Sequence, residues 1–211
     1  MRILEGLMAL DRSSLVNAIA RLTPAMDAQF DGLNEADAKL GDGDLGITMT
    51  RGMKLVEEIV ADLPDDLGLA MLNCSKAFTK SSGSSYGTLV AIGMMAIAKE
   101  IKGENEIEPS RLSGLVMAAM EQMKVRGKAE LGGKTVLDSL HAVAKAISGK
   151  TDIDDIRAAA SQASKDVLDE FRDKTATIGR ARMFGEKSIG LDDPGMLAMK
   201  FVVCAIADTD A

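Results

Sequence analysis

Along most of the chain, apolar residues recur at steps of three and four, the spacing of helices with one buried face. The pattern is plainest after Gly46, where Met49, Met53, Val56, Val60 and Leu63 form one stripe and Pro64 is expected to end it. A preceding helix over 11–34 is carried by Leu15, Ile19, Leu22 and Met26, and Pro24 should kink or break it. Further helices are expected over 66–79 and from the Ser/Gly stretch near residue 85 to 100. Another uses Leu112, Leu115, Val116, Ala119 and Met123 just after Pro109, and the next uses Val136, Leu140, Val143 and Ile147. The seventh spans 153–173, and the last runs to about residue 207 from Asp193 as N-cap with Pro194 in the first turn. No Pro/Gly/Ser-rich linker separates these segments, so residues 1–211 read as a single all-α domain of about eight amphipathic helices.

Composition supports this picture. One Tyr, five Phe and no Trp against 14 Met is a helix-former composition with little β signal. A hydrophobic content of 46% excludes disorder, and a net charge of −7 argues against nucleic acid or an anionic membrane as the main partner. No run is long enough to span a membrane. The first ten residues are interrupted by Glu5 and lack a small-residue cleavage site, so a signal peptide is not expected. Cys74 and Cys204 fall within apolar helical patterns, as buried thiols of a cytoplasmic protein would.

The chemistry concentrates in the connections. In Asp37-Ala-Lys-Leu-Gly-Asp-Gly-Asp-Leu-Gly-Ile-Thr48, three carboxylates (Asp37, Asp42, Asp44) stand among glycines just ahead of a helix. Ionised carboxylates this close repel one another unless a cation balances them, and oxygen-only ligands suit Mg²⁺. Gly46 to Thr48 would open the following helix with free N–H groups for an anion. The alternative is a solvated Asp/Gly turn. An EF-hand fails, because with Asp42 first the glycine position is Ile47 and the bidentate glutamate position is Met53. Lys80-Ser-Ser-Gly-Ser-Ser-Tyr-Gly-Thr88 reads either as a flexible turn or as a wall against which phosphates could lie. In Arg126-Gly-Lys-Ala-Glu-Leu-Gly-Gly-Lys-Thr135 the closing Gly-Lys-Thr is not a P-loop, because Lys128 stands at the required first glycine and a helix precedes it. His141, the only histidine, lies mid-helix and reads as packed or surface. The stretch 179–190 is rich in positive charge. These four connections follow alternate helices, so an up-and-down arrangement gathers them at one end. Together they offer the parts of a nucleotide polyphosphate site.

With these residues in view, Asp37-x4-Asp42-Gly43-Asp44-x-Gly46, Arg51-Gly52, Ser82-Gly83-x3-Gly87-Thr88, Arg126-Gly127-Lys128-Ala129, Lys134-Thr135, Gly179-Arg180-Ala181, Gly185-Glu186, Ser188-Ile189-Gly190 and Asp193-Pro194-Gly195 resemble the nucleotide-binding L subunit of dihydroxyacetone kinase. The resemblance runs in order over nearly the whole chain. It implies a closed barrel of eight antiparallel helices that holds ADP or ATP at one end, with two Mg²⁺ ions on Asp37, Asp42 and Asp44. Nucleotide contacts would fall to Leu45, Gly46, Ile47, Thr48, Ser81, Ser82, Gly127, Val136, Arg180, Asp193, Pro194 and Gly195. Arg180 would stabilise charge on the phosphoryl group in transfer, the alternative being a structural pairing with Asp192 or Asp193. The keto-sugar would be held on a histidine of a separate K subunit, and this chain would supply the phosphoryl group. Leu45 stands where members fed by a phosphotransferase-system phosphocarrier often have histidine, and Thr48 where they often have asparagine. The donor is therefore left open between free ATP and a phosphocarrier recharging bound ADP. Two other readings share the motifs: the nucleotide half of another kinase, such as a fatty acid kinase, and a nucleotide-sensing module that transfers nothing.

Overall fold

The structure, a computed structural model, describes residues 9–80 and 83–211. The signal-peptide reading of the N-terminus and the nucleotide contacts expected of Ser81 and Ser82 therefore fall largely or wholly outside the described residues. Among the described residues there are nine α-helices: α1 (Arg12–Ala28), α2 (Phe30–Leu40), α3 (Leu45–Glu57), α4 (Leu67–Thr79), α5 (Ser85–Glu100), α6 (Leu112–Gly127), α7 (Val136–Ile147), α8 (Ile153–Arg172) and α9 (Pro194–Ala207). The fold class is all-α. The only strands among the described residues are two short ones, β1 (Leu10–Asp11) and β2 (Glu106–Ile107), paired antiparallel with Leu10 opposite Ile107.

The extra helix comes from the first expected one. The helix continues through Pro24 and the chain breaks at Gln29, whose backbone (φ −99°, ψ 7°) leaves helical geometry. The break frees α2 to pack on α3 and α9, while α1 packs on the same two helices. Asp37 consequently sits on a helix rather than in a loop. The stripe after Gly46 also divides, since α3 ends at Glu57 and Val60–Asp62 forms a separate 3-10 turn. Its carbonyls are satisfied from a distance: Arg12 donates to the carbonyl oxygens of Leu63 at 2.7 Å, Ala61 at 3.2 Å and Val60 at 3.3 Å.

Side-chain caps fix most of the other starts. Asp66 accepts from the Leu69 N–H, Asp152 from the N–H groups of Asp154 and Asp155, and Asp193 from Met196. Thr135 and Asp138 form a capping box at the head of α7.

Neighbouring helices pack in chain order from α3 to α9, and α9 returns to α1, which packs on α3. These neighbour relations close on themselves, with α2 laid across α3 and α9. The largest core joins Ile19, Leu22 and Met26 of α1 to Met49, Met53 and Val56 of α3 and Cys74 and Phe78 of α4. A second core joins Met120 and Met123 of α6 to Val136, Leu137 and Leu140 of α7 and Met199 of α9. Cys74 and Cys204 are buried free thiols, as their apolar setting suggested, and burial pushes the Cys74 thiol up to about 11. Among the described residues no helix is long and apolar enough to cross a membrane.

Candidate functional site

A cleft of about 210 Å³ opens where four connections meet. It is lined by Asp37 in the last turns of α2, Asp42 and Asp44 of the α2–α3 connection and Leu45 at the head of α3, by Ser84 to Tyr86 at the head of α5, by Gly127, Ala129, Thr135 and Val136 around the α6–α7 connection, and by Ile178 to Ala181 and Asp193 to Gly195 around the α8–α9 connection. The alternate connections thus do meet. Between them, Leu89, Met123, Leu137 and Ile178 give the cleft an apolar wall that is continuous with the second core.

The acidic part is tightly built. Asp37, Asp42 and Asp44 each present a carboxylate oxygen, and these oxygens lie within 4.8 Å of one another. Asp37 also accepts the Asp44 N–H at 2.9 Å, which ties the turn back to α2. Gly43 turns the chain at φ +77°, and a Cβ at Gly41 would stand 2.2 Å from an Asp37 carboxylate oxygen, so neither position accepts a side chain without disturbance. Burial, and then the charges of Asp42 and Asp37, push the Asp44 carboxyl above the usual carboxylate range. A divalent cation would relieve that repulsion, and three hard oxygen donors with positions left for phosphate and water suit Mg²⁺.

Arg180 pairs with Asp42, and its hydrogen bond holds the Asp42 carboxyl below the usual range. The pairing considered from sequence, with Asp192 or Asp193, does not occur. Asp192 is engaged by Arg172 at 2.8 Å, and Asp193 is buried as the cap of α9. Burial pushes the Asp193 carboxyl up to about 7.

One expectation is corrected at the head of α3, where the N–H groups are not free. Gly46, Ile47 and Thr48 do not line the cleft. The N–H groups of Gly46 and Ile47 are taken by Asn34 Oδ1, at 2.8 and 3.3 Å, and the Thr48 N–H bonds to the Asp44 carbonyl. Gly46 is needed for close approach to the protein rather than to a ligand, since a Cβ there would meet the Phe30 carbonyl oxygen at 2.1 Å. Of the expected nucleotide contacts, Leu45, Gly127, Val136, Arg180, Asp193, Pro194 and Gly195 line the cleft.

Three supporting residues escaped sequence reasoning. Asn34 was one polar residue in a helix. Tyr86, the lone tyrosine, lies in the cleft wall and donates its hydroxyl to the Gly195 carbonyl at 3.0 Å. Lys134, named in the sequence only within the Gly-Lys-Thr loop, is wholly buried. His141 lies on α7 away from the cleft lining.

An all-helical domain with an acidic, arginine-bearing cleft between alternate connections defines the class. The DAK2 domain family matches residues 39–208, and the chain belongs to that family. It is 32% identical over 183 residues to the PEP-dependent dihydroxyacetone kinase 1, ADP-binding subunit DhaL of Listeria innocua, covering 84% of this chain and 86% of that protein. It is 27% identical over 205 residues to the ADP-binding subunit DhaL of the Escherichia coli PEP-dependent dihydroxyacetone kinase, covering 95% and 98%. The fold is similar to that of the C. freundii dihydroxyacetone kinase in complex with AMP-PNP and Mg²⁺, with a TM-score of 0.71 at 21% identity. The match covers all of this chain and 36% of that longer one, so this chain corresponds to about a third of it.

Proposed function

We propose that this chain is a single nucleotide-binding domain, spanning 1–211, of a cytoplasmic kinase for dihydroxyacetone or a related keto-sugar. It holds ADP or ATP with Mg²⁺ and passes a phosphoryl group to substrate carried by a K-type partner subunit. The observation that carries the reading is the cleft itself, which joins three clustered carboxylates and an arginine to an apolar wall. A nucleotide has both complements, a metal-bound polyphosphate and a flat apolar base. The names of the relatives support the ADP and keto-sugar assignments.

Asp37, Asp42 and Asp44 would hold the metal, which supplies charge neutralisation at phosphate oxygens. Arg180, bonded to one of those carboxylates, brings a guanidinium beside the bound phosphates, where it stabilises charge in transfer. Leu45, Val136 and Ile178 offer the base an apolar surface, and the turn at Asp193 to Gly195 closes the wall. No residue of the cleft is a histidine, which agrees with transfer by positioning and electrostatics, the acceptor being activated on the partner. A phosphocarrier protein that recharges bound ADP, or free ATP, completes the cycle; relatives named PEP-dependent and PTS-dependent support the former.

The test is calorimetry with Mg²⁺ and ADP on the wild type and Asp42→Ala, followed by transfer from radiolabelled ATP once a K-type subunit is added. Asp42→Ala is expected to lose Mg²⁺-dependent ADP binding while keeping its helical circular dichroism. Unchanged binding in the variant would refute the metal assignment, and a wild type that binds no nucleotide would refute the function.

A further inference from the structure

The buried Lys134 lies outside the acidic cluster and does not line the cleft, yet it is the most elaborately held polar side chain in this part of the fold. Its ammonium donates to three backbone carbonyls: Arg172 at 2.8 Å, Lys174 at 2.9 Å and Ser188 at 2.8 Å. The first is the last residue of α8 and the second lies just past its C-cap Asp173, where helix carbonyls lack intrahelical partners and the helix dipole favours a cation. The third lies at the far side of the excursion that carries Arg180. One ammonium therefore joins both feet of the α8–α9 connection.

Lys134 also carries a cost. Burial disfavours its charged form and draws its pKa down, and its backbone adopts the left-handed conformation at φ +60°, uncommon outside glycine. Such a site persists where surrounding bonds over-determine it. Here the neighbours act on the same connection. The Gly133 carbonyl accepts the Thr177 N–H at 3.2 Å, and a Cβ at Gly133 would stand 2.6 Å from the Ile178 side chain, which would have to shift for the two segments to close as they do. Within the connection, Ser188 Oγ accepts the Ala176 N–H and donates to the Gly185 carbonyl. The Gly190 N–H returns to the Arg172 carbonyl at 2.9 Å. The excursion also packs Ala176 and Ala181 against Leu40 of α2, and its tip is open, with Met183 74% exposed.

We infer that Lys134 is a positioning residue: by clamping Arg172, Lys174 and Ser188 together it sets the height at which the 174–188 excursion presents Arg180 to the acidic cluster. A methionine of similar length would fill the space but leave the Lys174 carbonyl unpaired and the carbonyls of Arg172 and Ser188 with only the Gly190 and Leu191 N–H groups, so the tie between the two feet would be lost. The excursion would then loosen, and Arg180 would spend less time beside bound phosphate.

The effect on nucleotide affinity rests on the function proposed above, whereas the clamp does not, so the two are read separately. Backbone hydrogen exchange by mass spectrometry, on the whole chain without ligand, should show K134M exchanging at least tenfold faster over 174–190, with α3, α4 and α5 unchanged. Calorimetry should show Mg²⁺–ADP affinity about tenfold weaker in K134M than in the wild type. If Lys134 acts through Arg180, the double variant K134M/R180A binds no more weakly than R180A alone. A purely structural lysine would instead raise exchange throughout the chain and add its loss to that of R180A, and either result overturns the inference. Unchanged exchange over 174–190 overturns it equally. If K134M does not fold, K134Q, which keeps donors for part of the clamp, is measured in the same way; if neither folds, Lys134 supports the whole fold and the inference is wrong. A wild type that binds no Mg²⁺–ADP sinks the proposed function and leaves the exchange comparison to decide the clamp.

Discussion

Replacing Asp193 with asparagine separates what this residue does as a helix cap from what it costs as a buried acid. Asp193 is 8% exposed and accepts the Met196 N–H at 2.9 Å. An asparagine side chain keeps an oxygen for that bond but cannot ionise. Burial lifts the carboxyl to about 7, against about 3.9 in an unfolded chain. The Met196 and Gly195 N–H groups and the ammonium of Lys134 oppose that rise, while the carboxylate of Asp138 adds to it. Between about pH 4 and about pH 7 the folded chain therefore binds more protons here than the unfolded one, and stability falls as pH rises. The contribution is complete below about pH 4 and gone above about pH 7. A shift of roughly three units at about 1.4 kcal/mol each sets the full difference near 4 kcal/mol. Urea denaturation of wild type and D193N from about pH 4.5 to about pH 8 measures it, since other titrating groups cancel in the difference. D193N is expected to gain on the wild type progressively as pH rises, by up to about 4 kcal/mol. Parallel curves, or a D193N that loses ground toward pH 8, would refute the argument that Asp193 is buried against its charge.

Two further substitutions test the build of the cleft. Gly41→Ala places a methyl where an Asp37 carboxylate oxygen lies, at 2.2 Å, so it should weaken Mg²⁺ binding by about tenfold while changing the melting temperature little; calorimetry with Mn²⁺ as the probe reads it. Tyr86→Phe removes the hydroxyl that holds the Gly195 carbonyl and should cost about 1–2 kcal/mol in chemical denaturation, with a slower approach to the bound state if the Pro194–Gly195 wall loosens. A Tyr86→Phe chain as stable as the wild type would show that hydroxyl to be idle.

The helical stripes were legible because burial of one helix face imposes a period that any short window reveals, as Met49, Met53 and Val56 show. Asp37, Asp42 and Asp44 were legible for a similar reason, since residues within one turn of chain and its glycines stay together wherever the rest goes. The gathering of alternate connections also followed from chain order alone. Pro24, expected to kink or break the first helix, lies inside α1, and the break falls at Gln29, where the packing of α2 on α3 and α9 outweighs the local penalty of one proline.

The all-helical class, the acidic cluster and the set of connections that form the cleft could all be read from the order of residues along the chain. Which charges pair there was settled by the folded chain. Arg180 meets Asp42 rather than Asp192, Asn34 takes the N–H groups of Gly46 and Ile47, and Lys134 turns inward to the carbonyls of Arg172, Lys174 and Ser188. The reason is physical. Periodicity and crowding act between near neighbours in the chain, whereas a buried donor is satisfied by whichever acceptor the folded backbone brings within about 3 Å, and backbone carbonyls carry no signature in the sequence.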